Sequence, residues 1–411
     1  MAKPTPVHAP MDQFAQQANQ LLIGGHTLDD IARLLDKAVF YAYDTSVVKA
    51  QIDKFHQHIP APIKLHYAIK ANPYAPLVNT MRDWVEGFDV ASQKEMLLAL
   101  QTGMPADDIS FAGPSKQEAE IEAAIVAGVT LHVESALELS RAVSLGEQLG
   151  KKPKVAFRVN PAFELKASGM KMGGGPKQFG LDEEFLFDWL PTLDYNTFEF
   201  RGFHIFWGSQ NLKVDAITEA HTNTFALADK LVKATPVPTR TINIGGGFGI
   251  PYFPGEQRLE LAPIGENLTA LLQQYPHLAA LELIIELGRY LVAEAGVYAS
   301  RITDIKTSRG HTFVMTNGGL HHHLSNSGNF GQVIRKNYPV AIGNKLGDGF
   351  EKTLVTAVGP LCTPLDTLAD KMALNDPQLG DWLVVFQSGA YGPTASPQDF
   401  LGHPHVHEIC L

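Results

Sequence analysis

The chain alternates between short apolar runs and longer segments with helical spacing. β-rich runs fall at 64–69, 87–90, 109–111, 130–133, 154–159, 201–205, 241–244 and 283–286. Helical patterns separate most of them, for example at 93–101, 117–127, 137–149, 216–234 and 266–275. Short parallel strands need crossover helices, and eight such units can close on themselves. The pattern predicts an α/β fold, a (β/α)8 TIM barrel, with an open doubly wound sheet as the alternative. After about Gly296 the alternation stops. Residues 297–304, 312–316, 353–357 and 382–387 read as strands without regular helices between them, which predicts a C-terminal β domain of sandwich or barrel-like form. The strand at 40–43 is assigned to that domain, since the barrel is already complete. The expected division is 44–296 for the barrel, and 1–43 with 297–411 for the β domain. Residues 13–37 read as helical with a break near Gly24-Gly25. The glycine-rich stretch 169–175, between Lys166 and Lys177, reads as a mobile loop.

Composition narrows the class. A length of 411 residues suits one large barrel plus a smaller domain. Hydrophobic content of 45% and charged content of 18% are ordinary for a soluble globular protein. The formal charge of -10 argues against a general nucleic-acid binder, and no run of like charge stands out. Two cysteines, Cys362 and Cys410, make no disulfide framework and point to a reducing compartment. Residues 1–14 carry no apolar signal core. The most apolar stretch, 281–299, is broken by Glu282, Glu286, Arg289 and Glu294, so no bilayer span is expected. The expectation is a cytoplasmic protein with neither a membrane nor a nucleic-acid partner.

In a barrel, chemistry sits at the C-terminal ends of the strands, where Lys70, Asp89, Arg158, Gly245-Gly246-Gly247 and Glu286 all fall. Lys70 ends an apolar run. In a partly desolvated pocket its amine loses proton affinity and becomes a nucleophile toward an aldehyde. A surface lysine at a strand end is the alternative. Gly245-Gly246-Gly247-Phe248-Gly249 can close backbone N–H groups on a phosphate, or make a tight turn. Glu286 can keep a heterocyclic nitrogen protonated and Arg289 can bind phosphate; an ordinary ion pair at the rim is the alternative. His204 and Phe206 share a strand face, and an aromatic there can stack on a planar cofactor or fill the core. Ser92 with Glu95, and Ser135 with Glu138, fit helix capping boxes. His321-His322-His323 and His403, His405 and His407 complete no familiar metal spacing, and no metal is assigned. Cys362 alone reads as a small hydrophobe, and Tyr391 as a packed turn residue.

Taken in order, these pieces resemble the fold-type III pyridoxal 5'-phosphate (PLP) decarboxylases, the ornithine, diaminopimelate and arginine decarboxylase group. The resemblance runs from about Phe40 to Tyr391. It rests on Tyr67-Ala68-Ile69-Lys70-Ala71-Asn72, Asp89-Val90-Ala91-Ser92 with Glu95, Arg158-Val159-Asn160-Pro161, Gly208-Ser209-Gln210, Gly245-Gly246-Gly247-Phe248, Glu286-Leu287-Gly288-Arg289-Tyr290, Gly359-Pro360-Leu361-Cys362 and Gly389-Ala390-Tyr391. It implies that Lys70 holds PLP as a Schiff base and that Glu286 keeps the pyridine nitrogen protonated. Ser209, Gly246, Gly247, Arg289 and Tyr391 would hold the phosphate. Arg158 would sit near the ring and its O3′ side, with Asp89, His204, Phe206 and Gly288 completing the cofactor site. Cys362 would reprotonate the product from the partner subunit of a homodimer with shared active sites.

The departures from the family pattern point to the substrate. Phe206 replaces a ring-stacking histidine, Leu287 replaces a proline, and Gln178 stands where a lysine commonly precedes Phe-Gly. Family members that grip a distal ammonium have an acid after the cysteine; here Thr363 follows Cys362. The segment 319–330, with His322, lacks the usual arginine and tyrosine of diaminopimelate enzymes. An unpaired buried ammonium costs roughly several kcal/mol, so the expected substrate is not a free basic diamino acid. Thr363, Asp366 and His322 are the expected substrate-side residues. Thr363-Pro364-Leu365-Asp366 and 328–331 resemble the butirosin-pathway decarboxylase of carrier-tethered glutamyl groups and the exosortase-associated decarboxylases. An aminoacyl group on a carrier protein is the resulting candidate, with Arg335-Lys336 as a basic docking patch. The alternatives are a diaminopimelate-type decarboxylase, an amino-acid racemase, and a non-catalytic PLP-binding regulator. The Gly-Pro-Leu-Cys context counts against racemisation, and the retention of both Lys70 and Cys362 counts against a regulator.

Overall fold

The computed structural model of the chain describes residues 6–163, 170–171, 173–330, 332 and 335–411. Lys166, Gly169 and Met172 of the expected glycine loop, and Gly331, lie outside them. The chain forms two compact units. One comprises Ile52–Gly249 and Leu259–Gly288; the other comprises the chain up to Gln51, Ile250–Arg258 and Arg289–Leu411.

The first unit is a closed barrel. Its strands are β1 (Ile63–Ala68), β2 (Gly87–Val90), β3 (Ile109–Phe111), β4 (Thr130–Val133), β5 (Lys154–Asn160), β6 (Glu199–Ile205), β7 (Thr241–Gly246) and β8 (Glu282–Leu287). Each pairs in parallel with the next, and β8 pairs with β1 to close the circle. The strands are nearly continuous apolar runs because they are covered on both faces. The crossover helices start at sequence-encoded caps. Ser92 Oγ accepts the Glu95 N–H ahead of Gln93–Gln101, and Ser135 Oγ accepts the Glu138 N–H ahead of Ala136–Leu149. Both glutamates reach one residue further back than a reciprocal box would, to the N–H of Ala91 and of Glu134.

Polar side chains are concentrated among these strands. His66, Asp89, His132, His204, Asn243 and Glu286 are each 4% exposed or less. A cavity of about 30 Å³ is lined by His66, Ser110, His132 and Asn243, among others. β7 is irregular between Asn243 and Gly246, where it meets β8. A Cβ on Gly246 would lie 1.9 Å from the Glu286 carbonyl oxygen, so only glycine permits this approach.

The second unit is a mixed sheet. Its strands are β9 (Gly296–Ser308), β10 (His311–Thr316), β11 (Val340–Ile342), β12 (Lys352–Val358), β13 (Thr367–Asn375) and β14 (Trp382–Val385), in the order β11-β14-β9-β10-β12-β13. Val39–Tyr43 runs antiparallel to the start of β9 and parallel to His407–Cys410. The expectation of a helix over 13–37 is corrected. Gln16–Gln17, Gln20–Ile23 and His26–Thr27 form a small antiparallel sheet, and only Leu28–Leu35 is helical. Positive φ at Ala18, Asn19, Gly24 and Gly25 turns the chain twice, and the Leu21 N–H bonds to the Gly343 carbonyl instead of to its own segment. Among the described residues no helix is long and apolar enough to cross a membrane.

Candidate active site

Lys70 lies in the short 3-10 turn Ile69–Ala71 directly after β1. Its Nζ is 3.3 Å from Glu286 Oε1 and 3.4 Å from Asp89 Oδ2. The amine is partly open to solvent while both carboxylates are buried. Gly288 makes room for this turn, since a Cβ there would meet the Ala71 Cβ at 2.8 Å. The lysine expected from the sequence is therefore held between the two acids expected from the sequence.

The two acids are not equivalent. Burial and the neighbouring Glu286 push the Asp89 carboxyl well above the usual carboxylate range, although Ser110 Oγ donates to it at 3.0 Å. Burial also opposes charge on Glu286, but Lys70 and His204 outweigh it and hold that carboxyl well below the usual range. The two shifts run in opposite directions, Asp89 toward its neutral form and Glu286 toward its ionised form. His204 Nε2 is 3.3 Å from Glu286 Oε2, and burial holds this imidazole below its ordinary range. His204 also packs against His132 at 4.5 Å and Phe206 at 6.0 Å between ring centroids.

Asn243 was not singled out by its sequence. Its Oδ1 accepts the Gly245 N–H at 2.8 Å, and its Nδ2 is 3.5 Å from Glu286 Oε2. One amide thus ties the glycine turn after β7 to the acid of β8. Gly245 and Gly247 both have positive φ, and a Cβ on Gly247 would meet the Gly208 carbonyl oxygen at 2.5 Å. Gly208–Ser209 pairs with Met170–Lys171. Arg158 lies near the end of β5, where its Nη1 donates to Glu134 Oε1 at 2.9 Å.

In the second unit, Arg289 opens the helix Arg289–Val292. Its Nη1 donates to the Tyr252 hydroxyl at 3.0 Å, and its guanidinium carbon lies 4.6 Å over the Tyr391 ring. Arg289 and Tyr391 are thus brought together, with Tyr391 at a positive φ of 52°. Tyr252 is a partner that no motif marked.

Cys362 is exposed, in a turn clasped by Asp366. The buried Asp366 carboxylate accepts the N–H of Leu320 at 2.6 Å and of Leu361 at 2.8 Å. Asp366 was expected beside the substrate; its oxygens are engaged by the backbone. His322 was expected there too, but it is buried, with Nε2 2.8 Å from the Pro404 carbonyl and Nδ1 3.2 Å from the Tyr298 hydroxyl. Thr363 is half-buried and lines an open cavity of about 550 Å³ together with His311, Phe313, Asp370 and Lys371. Arg335 is occupied: its guanidinium donates to the carbonyls of Ser327 and Thr367. Lys336 remains of the expected docking pair, 5.5 Å over the Phe253 ring.

An amine between two acids, an ionised buried carboxylate and a glycine turn tied to that carboxylate fit a phosphorylated heterocyclic aldehyde. Residues 45–293 match the family described as pyridoxal-dependent decarboxylase, pyridoxal binding domain. The chain belongs to this family: it is a PLP-dependent decarboxylase, a carboxy-lyase on a barrel-plus-β-domain fold.

Its relatives place it more closely. It is 36% identical, over 90% of its length and 88% of the other protein, to the L-glutamyl-[BtrI acyl-carrier protein] decarboxylase of Niallia circulans. It is 31% identical, over 90% of its length and 93% of the other protein, to the 2-[(L-alanin-3-ylcarbamoyl)methyl]-2-hydroxybutanedioate decarboxylase of Staphylococcus aureus. The solved diaminopimelate decarboxylase of Helicobacter pylori, complexed with L-lysine, superposes with a TM-score of 0.81 at 25% identity, covering 93% of this chain and 94% of that one.

Proposed function

We propose that this decarboxylase acts on an amino acid whose far end is closed by an acyl linkage, and that a glutamyl group tethered to a carrier protein is the form it takes. The observation that carries this reading is Thr363, a neutral side chain directly after Cys362. The nearby acids are engaged, Asp366 by two backbone N–H groups and Asp370 by the Thr356 hydroxyl at 3.0 Å. The position directly after Cys362 offers a distal ammonium no carboxylate, whereas an uncharged acyl link needs none. Decarboxylation requires a free α-carboxyl, so a tethered glutamyl group would be joined through its side-chain carboxyl. The activity of the Niallia circulans relative supports the same choice.

Lys70 would carry the cofactor through Nζ. Ser209, Gly246, Gly247, Arg289 and Tyr391 would hold its phosphate, and Asp89, Arg158, His204, Phe206 and Gly288 would border it. When bound, PLP supplies the electron sink that lets the bond to the carboxyl break. Glu286, whose carboxyl is held below the usual range in the cofactor-free chain, would hold a proton on the ring nitrogen. Cys362 would deliver the final proton across the interface of a homodimer, in which each copy completes the other's site. A cytoplasmic location agrees with two free cysteines.

The test is carbon dioxide release from glutamyl-loaded carrier protein, free glutamate, free lysine and free diaminopimelate. Release from the loaded carrier at a kcat/KM at least about tenfold above any free amino acid is expected. Efficient release from a free basic diamino acid, and none from the carrier, would overturn the proposal.

A further inference from the structure

Arg158 stands at the end of β5 with little freedom. The side chains of its ion pair with Glu134 are 10% and 2% exposed. Phe179 lies against the guanidinium, 4.9 Å from its carbon to the ring centroid, and Phe206 lies at 6.0 Å. Glu134 does more than pair with Arg158. Its Oε1 also accepts the Gly113 N–H at 2.7 Å, and its Oε2 accepts the Gly180 N–H at 3.1 Å. Its own N–H donates to Glu138 Oε2 at 2.9 Å, and Glu138 is paired with the buried Lys116 at 2.5 Å. One carboxylate therefore joins the chain after β3, the end of β4, β5 and the segment Gln178-Phe179-Gly180. Gly180 is forced: its φ is +74°, and a Cβ there would meet the Arg158 carbonyl oxygen at 3.0 Å.

A buried ion pair is a weak device for stability, because desolvation consumes most of its attraction. This one holds the planar fork of an arginine, flanked by two rings, at the catalytic end of the barrel. We infer that Glu134 is a positioning residue, with Phe179 as its platform: it fixes the Arg158 guanidinium beside the bound cofactor and cancels most of its charge there. The inference rests on the reading that Arg158 borders PLP. The other ionisable groups near this guanidinium are His132 on β4 and His204 on β6, both kept below the ordinary imidazole range by burial. Glu286, Asp89 and Lys70 stand beyond His204 on β8, on β2 and after β1.

Glu134→Gln would leave the guanidinium charge uncompensated and disfavour the protonated form of the linkage between Lys70 and PLP. The holoenzyme is titrated by absorbance, without substrate. The midpoint of the cofactor's spectral change is expected to fall by about one pH unit in Glu134→Gln. It should return to the wild-type value in Glu134→Gln/Arg158→Gln, where both charges are gone. Half-buried Phe179→Leu keeps the charge pair, so its midpoint should hold while PLP is lost on dialysis about threefold faster or more. A folded Glu134→Gln with a wild-type midpoint would overturn the inference. If that variant does not fold, unchanged PLP retention in Phe179→Leu would do so. Borohydride trapping is the separate control: wild-type protein without PLP fixed on Lys70 would refute the assignment of the site itself.

Discussion

The barrel end around Lys70 and the turn around Cys362 use their carboxylates in opposite ways. At the barrel end, Glu286 and Asp89 face one amine, and the difference in their environments pushes one toward the charged form and the other toward the neutral form. That arrangement stores charge for a ligand. In the turn, each Asp366 oxygen accepts a backbone N–H, which fixes the loop carrying Cys362. The barrel end is thus suited to the cofactor that all members share. On the proposed reading, the turn would discriminate by placing the neutral Thr363 directly after Cys362, and the cavity that Thr363 lines is where substrate choice would be altered.

The sharpest break between the regions comes from Lys70, the proposed cofactor anchor, and Cys362, the proposed proton donor. Lys70→Ala should lower kcat at least about 10³-fold and abolish borohydride trapping of PLP. Cys362→Ala should lower amine formation about 10²-fold while PLP remains bound. Equal loss of cofactor binding in the two variants would remove the distinction. A smaller effect is expected from Thr363→Asp, which supplies the missing acid. The kcat/KM ratio of free lysine to glutamyl-loaded carrier should rise about 10- to 30-fold. An unchanged ratio would mean that substrate choice is made elsewhere.

The sequence was most informative where chemistry and strand ends coincide. Lys70, Asp89 and Glu286 end runs with the spacing of parallel strands, so the closed barrel alone brings them together. Glu134, Asn243 and Tyr252 escaped notice because their roles are set by partners far along the chain: Arg158, Glu286 and Arg289. Asp366 was marked by its motif, and a distant partner changes its reading. Its place in a cysteine-bearing motif invites a substrate role, but the N–H groups of Leu361 and of Leu320, 46 residues back along the chain, engage it. The stretch at 16–27 departs from its helical expectation for a similar reason. Leu21-Leu22-Ile23 suits a helix or a strand equally, and the bond from Leu21 to Gly343, outside the local window, selects the strand.

The smallest expected effect concerns buried histidines, which the two units hold differently. His221 in the barrel unit is fully buried, and its ring nitrogens have no hydrogen-bond partner among the described residues. His323 in the β domain is equally buried, but its Nε2 is 2.9 Å from the Ser388 hydroxyl. Burial lowers both imidazoles to about 3. A histidine depressed in the folded state contributes stability that is fully present above its unfolded value near 6.5 and is lost as pH falls toward 3. One such group accounts for about 1 kcal/mol of the stability lost between pH 7 and pH 5.5. His221→Leu should therefore flatten the acid limb of the unfolding free energy by that amount. At pH 7 it should cost little, because no hydrogen bond is broken. His323→Leu should flatten the limb equally but cost about 1 kcal/mol more at pH 7, through the bond to Ser388. Denaturant unfolding at the two pH values separates the outcomes. An acid limb unchanged in His221→Leu would show that this imidazole does not gain its proton on unfolding.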